Sequence, residues 1–127
     1  MTTADTMLTY LRAAMDAAQH DAEAASGNEW LSAPDGSGSA WVMNEDMHLL
    51  ETEEPTAEHI ARHDPAAVLR RIASDRKLLD EHAQYSLPDG SEIDECRVCG
   101  GSNEAWPCPT LRLIAEGYGW RADEPQG

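Results

Sequence analysis

Three cysteines crowd into one short segment near the end of a 127-residue chain, as Cys96-x2-Cys99-x8-Cys108. They constrain the fold more than any other feature. A lone C-x-x-C also suits a redox pair. Here it runs Cys96-Arg97-Val98-Cys99-Gly100-Gly101, and glycines let the backbone turn tightly enough to aim amides at a thiolate, as in zinc knuckles. Cys108 stands before Pro109-Thr110, where an N-cap would place it. Helix-terminal amides lower a thiol's pKa there and favour the thiolate that a metal requires.

A structural zinc takes four ligands, so three cysteines need a partner. His82 is the best candidate. It ends an expected helix over 65–83 and lies three and four residues after Leu79 and Leu78, beside their core-facing side. The intervening Leu87-Pro88-Asp89-Gly90-Ser91 is a turn that doubles the chain back. The expected site is therefore Zn2+ held by His82, Cys96, Cys99 and Cys108, tying the long helix to the last one. Asp80, Asp94 and Glu95 are weaker alternatives, because carboxylates are rarer in closed structural sites. Other readings are three buried small hydrophobes, a disulfide with a spare thiol, or a catalytic zinc with an open position. The odd cysteine count argues against a disulfide scaffold.

Around this segment the chain reads as α+β: mostly helical, with a small antiparallel sheet and a zinc knuckle between the last two helices. Leu8, Leu11, Met15, Ala18, Ala22 and Ala25 form one stripe over a helix at 4–25, bulky in its first half and alanine-only in its second. Ser26-Gly27-Asn28 stops it. Residues 28–50 read as two or three short strands (29–32, 40–43 and 47–50), the first two flanking a Pro-Asp-Gly-Ser-Gly-Ser turn. A helical pair follows over 56–83, with Thr56 as the first N-cap. Asp64 caps the second helix, with Pro65 at its first position. Pro109 to Ala115 reads as a last short helix, which Gly117 terminates. Residues 1–120 are expected to form one small domain, and 121–127 a frayed tail.

Charge excludes some functions. Lys and Arg number 9 against 24 Asp and Glu, for a net −15, which disfavours direct nucleic-acid binding. Between Arg12 and Arg62 there is no Lys or Arg but there are eleven acids. That front half keeps the protein soluble, or docks a partner with a basic surface. No apolar run is long enough to span a membrane, and the first residues do not resemble a secretion signal. A cytoplasmic location is expected.

His59-x3-His63 has the i, i+4 spacing that can share an ion, but Ile60 stands where an H-E-x-x-H motif carries its general base. Surface or capping histidines are the simpler reading. The glycine-serine run lacks the Lys and following helix of a phosphate loop, and no G-x-S-x-G elbow occurs. The four tryptophans read as core fillers and lids.

The stretches His59-Ile60-Ala61-Arg62-His63-Asp64-Pro65 and Trp106-Pro107-Cys108-Pro109-Thr110-Leu111-Arg112, with the C-x-x-C, resemble a family of small uncharacterised proteins of actinobacteria and their phages. The resemblance spans about residues 4–120 and is weakest over 30–50. It implies a small cytoplasmic protein, with phage or prophage origin among the options, and supplies no activity. The leading expectation is a zinc-stabilised, non-enzymatic binding or accessory protein with an acidic docking face. The alternatives are a metal-dependent hydrolase or nuclease using His59 and His63, and an acidic nucleic-acid mimic that occupies a DNA-binding protein.

Overall fold

The computed structural model describes residues 2–100 and 106–121. In chain order it contains α1 (Thr3–Ala24), β1 (Leu31–Pro34), β2 (Ser39–Met43), β3 (His48–Glu53), α2 (Glu54–Arg62), α3 (Pro65–Glu81), β4 (Gln84–Ser86), β5 (Glu92–Cys96) and α4 (Pro109–Gly117). The class is α+β with antiparallel pairing throughout. Contacts divide the chain into two compact units, one of residues 1–16 with 73–127 and one of residues 17–72.

The first unit takes the bulky half of α1. Thr2 caps this helix reciprocally with Asp5: the Asp5 amide donates to Thr2 Oγ1 at 3.1 Å, and the Thr2 amide donates to Asp5 Oδ2 at 3.2 Å. Those bonds to Thr2 hold the Asp5 carboxyl below its usual range. Met7, Leu8, Leu11 and Met15 of this half are buried, as are Leu79 of α3 and Leu111 and Ala115 of α4. The stripe read from the sequence is thus a core face, widened by Met7. Gly117, expected to end the last helix, is instead its final helical residue. The stop is Gly119, at φ 101°, in a Schellman turn. Its amide donates to the Glu116 carbonyl at 3.0 Å, and that of Trp120 to Ala115 at 2.9 Å. A Cβ at Gly119 would lie 2.7 Å from Tyr10 Oη, so both φ and space demand glycine.

Two strands that the hydropathy pattern did not reveal complete this unit. β4 and β5 pair with Gln84 opposite Cys96 and Ser86 opposite Glu92. They carry few apolar residues, and only Cys96 among them is buried. What was legible is the turn between them. Leu87 donates to the Ser91 carbonyl at 2.7 Å, and Asp89 Oδ1 accepts from the Ser91 amide at 2.9 Å.

In the second unit, β1, β2 and β3 form a sheet in sequence order. Ala40 and Val42 on β2 and Ala57 on α2 make a fully buried nucleus, with Trp30, Leu49 and Ile60 packed around it. The strands sit later than expected: the first at 31–34 rather than 29–32, and the third at 48–53 rather than 47–50. The extra residues Glu51-Thr52-Glu53 pair backbone to backbone with β2, a gain that polar side chains do not advertise. Thr56 is not an N-cap. Its helix begins at Glu54 after an extended Glu53, with Pro55 in the first turn, where a missing N–H costs nothing.

Asp64 does cap α3. Its Oδ1 accepts from the Ala67 amide at 2.8 Å, while Oδ2 accepts from the Trp30 amide at 3.0 Å. One carboxylate therefore starts a helix and fixes the chain leading into β1. The expected tail lies, apart from Arg121, outside the described residues.

Candidate metal centre

Each of the four side chains is delivered by a different local device. His82 follows α3 directly, and its amide still donates to Leu78 at 2.9 Å, so it continues the last helical turn. Its own carbonyl accepts from Trp106 Nε1 at 2.9 Å, which fixes the peptide from the other side. Register places Cys96 at the end of β5, opposite Gln84 and close to the end of α3. The Arg97 amide then donates to Ala83 at 2.9 Å. After Cys96 the chain turns, and the Cys99 amide points at Cys96 Sγ at 3.4 Å. Gly100 fits this turn because a Cβ would meet the Cys96 carbonyl at 3.2 Å. Gly101 lies outside the described residues. Cys108 is the N-cap of α4, with extended backbone and Pro109 in the first turn.

The result is a convergence of donors. His82 Nδ1 lies 3.3 Å from Cys96 Sγ, 3.5 Å from Cys99 Sγ and 3.4 Å from Cys108 Sγ. All four donor atoms lie within 4.8 Å of one another. Hydrogen bonding alone does not account for this, because one imidazole nitrogen carries at most one proton. A tetrahedron with ordinary zinc bond lengths has N···S edges of about 3.6 Å and S···S edges of about 3.8 Å. The three observed N···S distances come close to that figure. Three residues of the group are buried, and Cys99 is half-buried. All three cysteines are free thiols, so the disulfide reading fails. Asp80, Asp94 and Glu95 do not join the group.

Electrostatics separate the thiols. Burial pushes the Cys96 thiol up, but the amides of Cys99 and Val98, with His82 and Cys108, outweigh it and hold it at about 7. Cys99 is pushed up to about 11, first by desolvation and then by the neighbouring sulfurs. Three thiolates without a cation repel one another, and Cys99 stays protonated. A divalent ion reverses that balance by favouring every thiolate at once.

His59 and His63 lie side by side, with ring centroids 4.6 Å apart. His63 Nδ1 is 3.4 Å from the Arg71 guanidinium. Among the described residues, no third His, Cys or carboxylate completes a metal-holding group there. His20 and His48 are exposed, and among the described residues neither enters a metal-holding group. The sequence reading missed the indole of Trp106 as the clamp on His82. The Trp-Pro-Cys order was its signal, since it ties that indole to the donor two residues on, Cys108.

Fold and donor set together define a small α+β protein with one cluster of three cysteines and a histidine late in the chain. Residues 4–123 match the model of DUF6221, a family of unknown function, and the chain belongs to that family. No curated protein and no solved structure matches it. Among the described residues, no helix is long and apolar enough to cross a membrane.

Proposed function

We propose that the cluster holds one structural Zn2+ and that the protein is a non-catalytic accessory protein, docking a basic protein surface through its acidic front half. The observation that carries the metal is the near-equal spacing of His82 Nδ1 from three sulfurs. A tetrahedral set of three thiolates and one imidazole suits zinc over hard, oxygen-seeking cations. Four protein ligands leave no position for water or substrate, which favours a structural over a catalytic role. Free thiols fit a reducing compartment such as the cytoplasm. The docking half of the proposal rests on a net charge of −15 and the absence of Lys and Arg between Arg12 and Arg62.

Elemental analysis of protein purified without added metal tests the first half. One zinc per chain is expected, and its absence, or a readily exchanged second ion, would overturn the structural assignment. Calorimetric titration of a basic partner against rising salt tests the second. Affinity should fall steeply as charge is screened, and a salt-independent complex would reject the acidic face.

A further inference from the structure

The docking face just proposed can be placed on a particular surface, a placement that rests on that reading. In the sheet of the second unit, Ala40 and Val42 turn toward α2. Alternation along a strand sends Trp41 and Met43 to the opposite face. Directly opposed residues of antiparallel strands share a face. Register therefore adds Leu31 opposite Met43, Glu51 opposite Trp41, Glu53 opposite Ser39, and His48 opposite Met43. The His48 ring stacks on Trp41, with centroids 4.6 Å apart and planes inclined by 22°. Leu31 is 53% exposed. His48, Glu51 and Glu53 are exposed as well, and Trp41 and Met43 are half-buried.

This face joins three properties. A flat aromatic pair offers its π surface to a cation, Leu31 and Met43 offer apolar area beside it, and two carboxylates border it on the β3 side. The segment supplies no cation of its own, since no Lys or Arg occurs between Arg12 and Arg62. We propose that this outer sheet face docks an extended, arginine-rich segment of a partner protein. One guanidinium stacks on the Trp41–His48 pair, its neighbours pair with Glu51 and Glu53, and intervening apolar side chains rest on Leu31 and Met43. Carboxylates repel the phosphates of a nucleic acid. A second copy would bring another −15 of charge, so a basic protein segment is the occupant that the charges select.

The test uses the full chain and a short synthetic peptide alternating Arg and Leu, with an Arg–Gly peptide of equal charge as its control. Peptide titration followed by amide NMR should shift Leu31, Trp41, Met43, His48 and Glu51 first. The Arg–Gly control should bind roughly fivefold more weakly, because it lacks apolar contact. Trp41→Ala should weaken binding about tenfold, as removal of an aromatic anchor does. The double charge reversal Glu51→Lys with Glu53→Lys changes only exposed side chains and keeps the experiment decisive if Trp41→Ala misfolds; it should abolish binding. Salt-sensitive binding with shifts centred elsewhere, and indifference to both variants, would overturn this placement while leaving an acidic docking face standing. No binding at low salt would overturn both. The zinc content of each variant should stay at one per chain, so the metal assignment is scored separately.

Discussion

The segment from His82 to Cys108 and the sheet of residues 31–53 are both small and built from short strands, yet different physics holds each. The sheet has a nucleus of Ala40, Val42 and Ala57 under partial aromatic cover, so apolar burial and a nine-residue helix lying across it suffice. Among the described residues of the 82–108 segment, only Cys96 and His82 are buried in and around its two strands, with Cys108 beyond. It gathers four donors where a core would place aliphatic side chains. A chain without Phe and with 6% aromatics has little to fill such a region, and a coordination centre needs only four side chains.

The largest expected effect separates the two regions outright. Removing the proposed metal with a chelator, or changing His82→Ala or Cys108→Ser, should cost up to about 10 kcal/mol of apparent folding energy, by the scale of zinc-finger peptides. Hydrogen exchange should then show β4 and β5 losing protection ahead of β2 and β3. Equal loss in both sheets would erase the contrast. Val42→Ala should act in reverse, since it empties part of the sheet's nucleus. It should destabilise by about 2 kcal/mol in a urea melt and leave zinc content unchanged.

Next in size is Asp64→Ala. It removes both the α3 cap and the acceptor of the Trp30 amide, and should cost about 1–2 kcal/mol with zinc content again unchanged. The smallest effect is the proton count on metal binding. At pH 7 Cys99, pushed up to about 11, is protonated, and Cys96, held at about 7, is half so. Binding should release roughly one and a half protons from these two thiols. Protons compete with the metal for thiolate, so affinity must rise with pH and fall as pH drops. Calorimetry in buffers of different ionisation enthalpy reads the total release from all four ligands, which should be no smaller than this number.

Some of this was legible beforehand, and the pattern is physical. The stripe from Leu8 to Met15 and the Asp64-Pro65 start depend on residues within a turn or two of each other. So do the Pro-Asp-Gly turn and the Cys108-Pro109 cap, and local periodicity reports such things well. Misses arose where local cues pointed one way and pairing another. Glu51-Thr52-Glu53 reads as a loop until β2 is beside it, and Gln84–Ser86 has no alternation to betray a strand. Gly117 reads as a terminator, but the positive φ of Gly119 and the close approach of Tyr10 give Gly119 that role.

By itself the sequence determined the chemistry on offer: three thiols and a histidine at workable spacing, helices that begin at proline and aspartate, and a stretch between Arg12 and Arg62 without Lys or Arg. Tertiary structure decided whether those groups meet. That His82 Nδ1 stands 3.3–3.5 Å from three sulfurs depends on the pairing of Gln84 with Cys96 and on the Trp106 indole reaching back to His82. Those are closures between residues distant in the chain, and their free energy comes from partners that no local window contains.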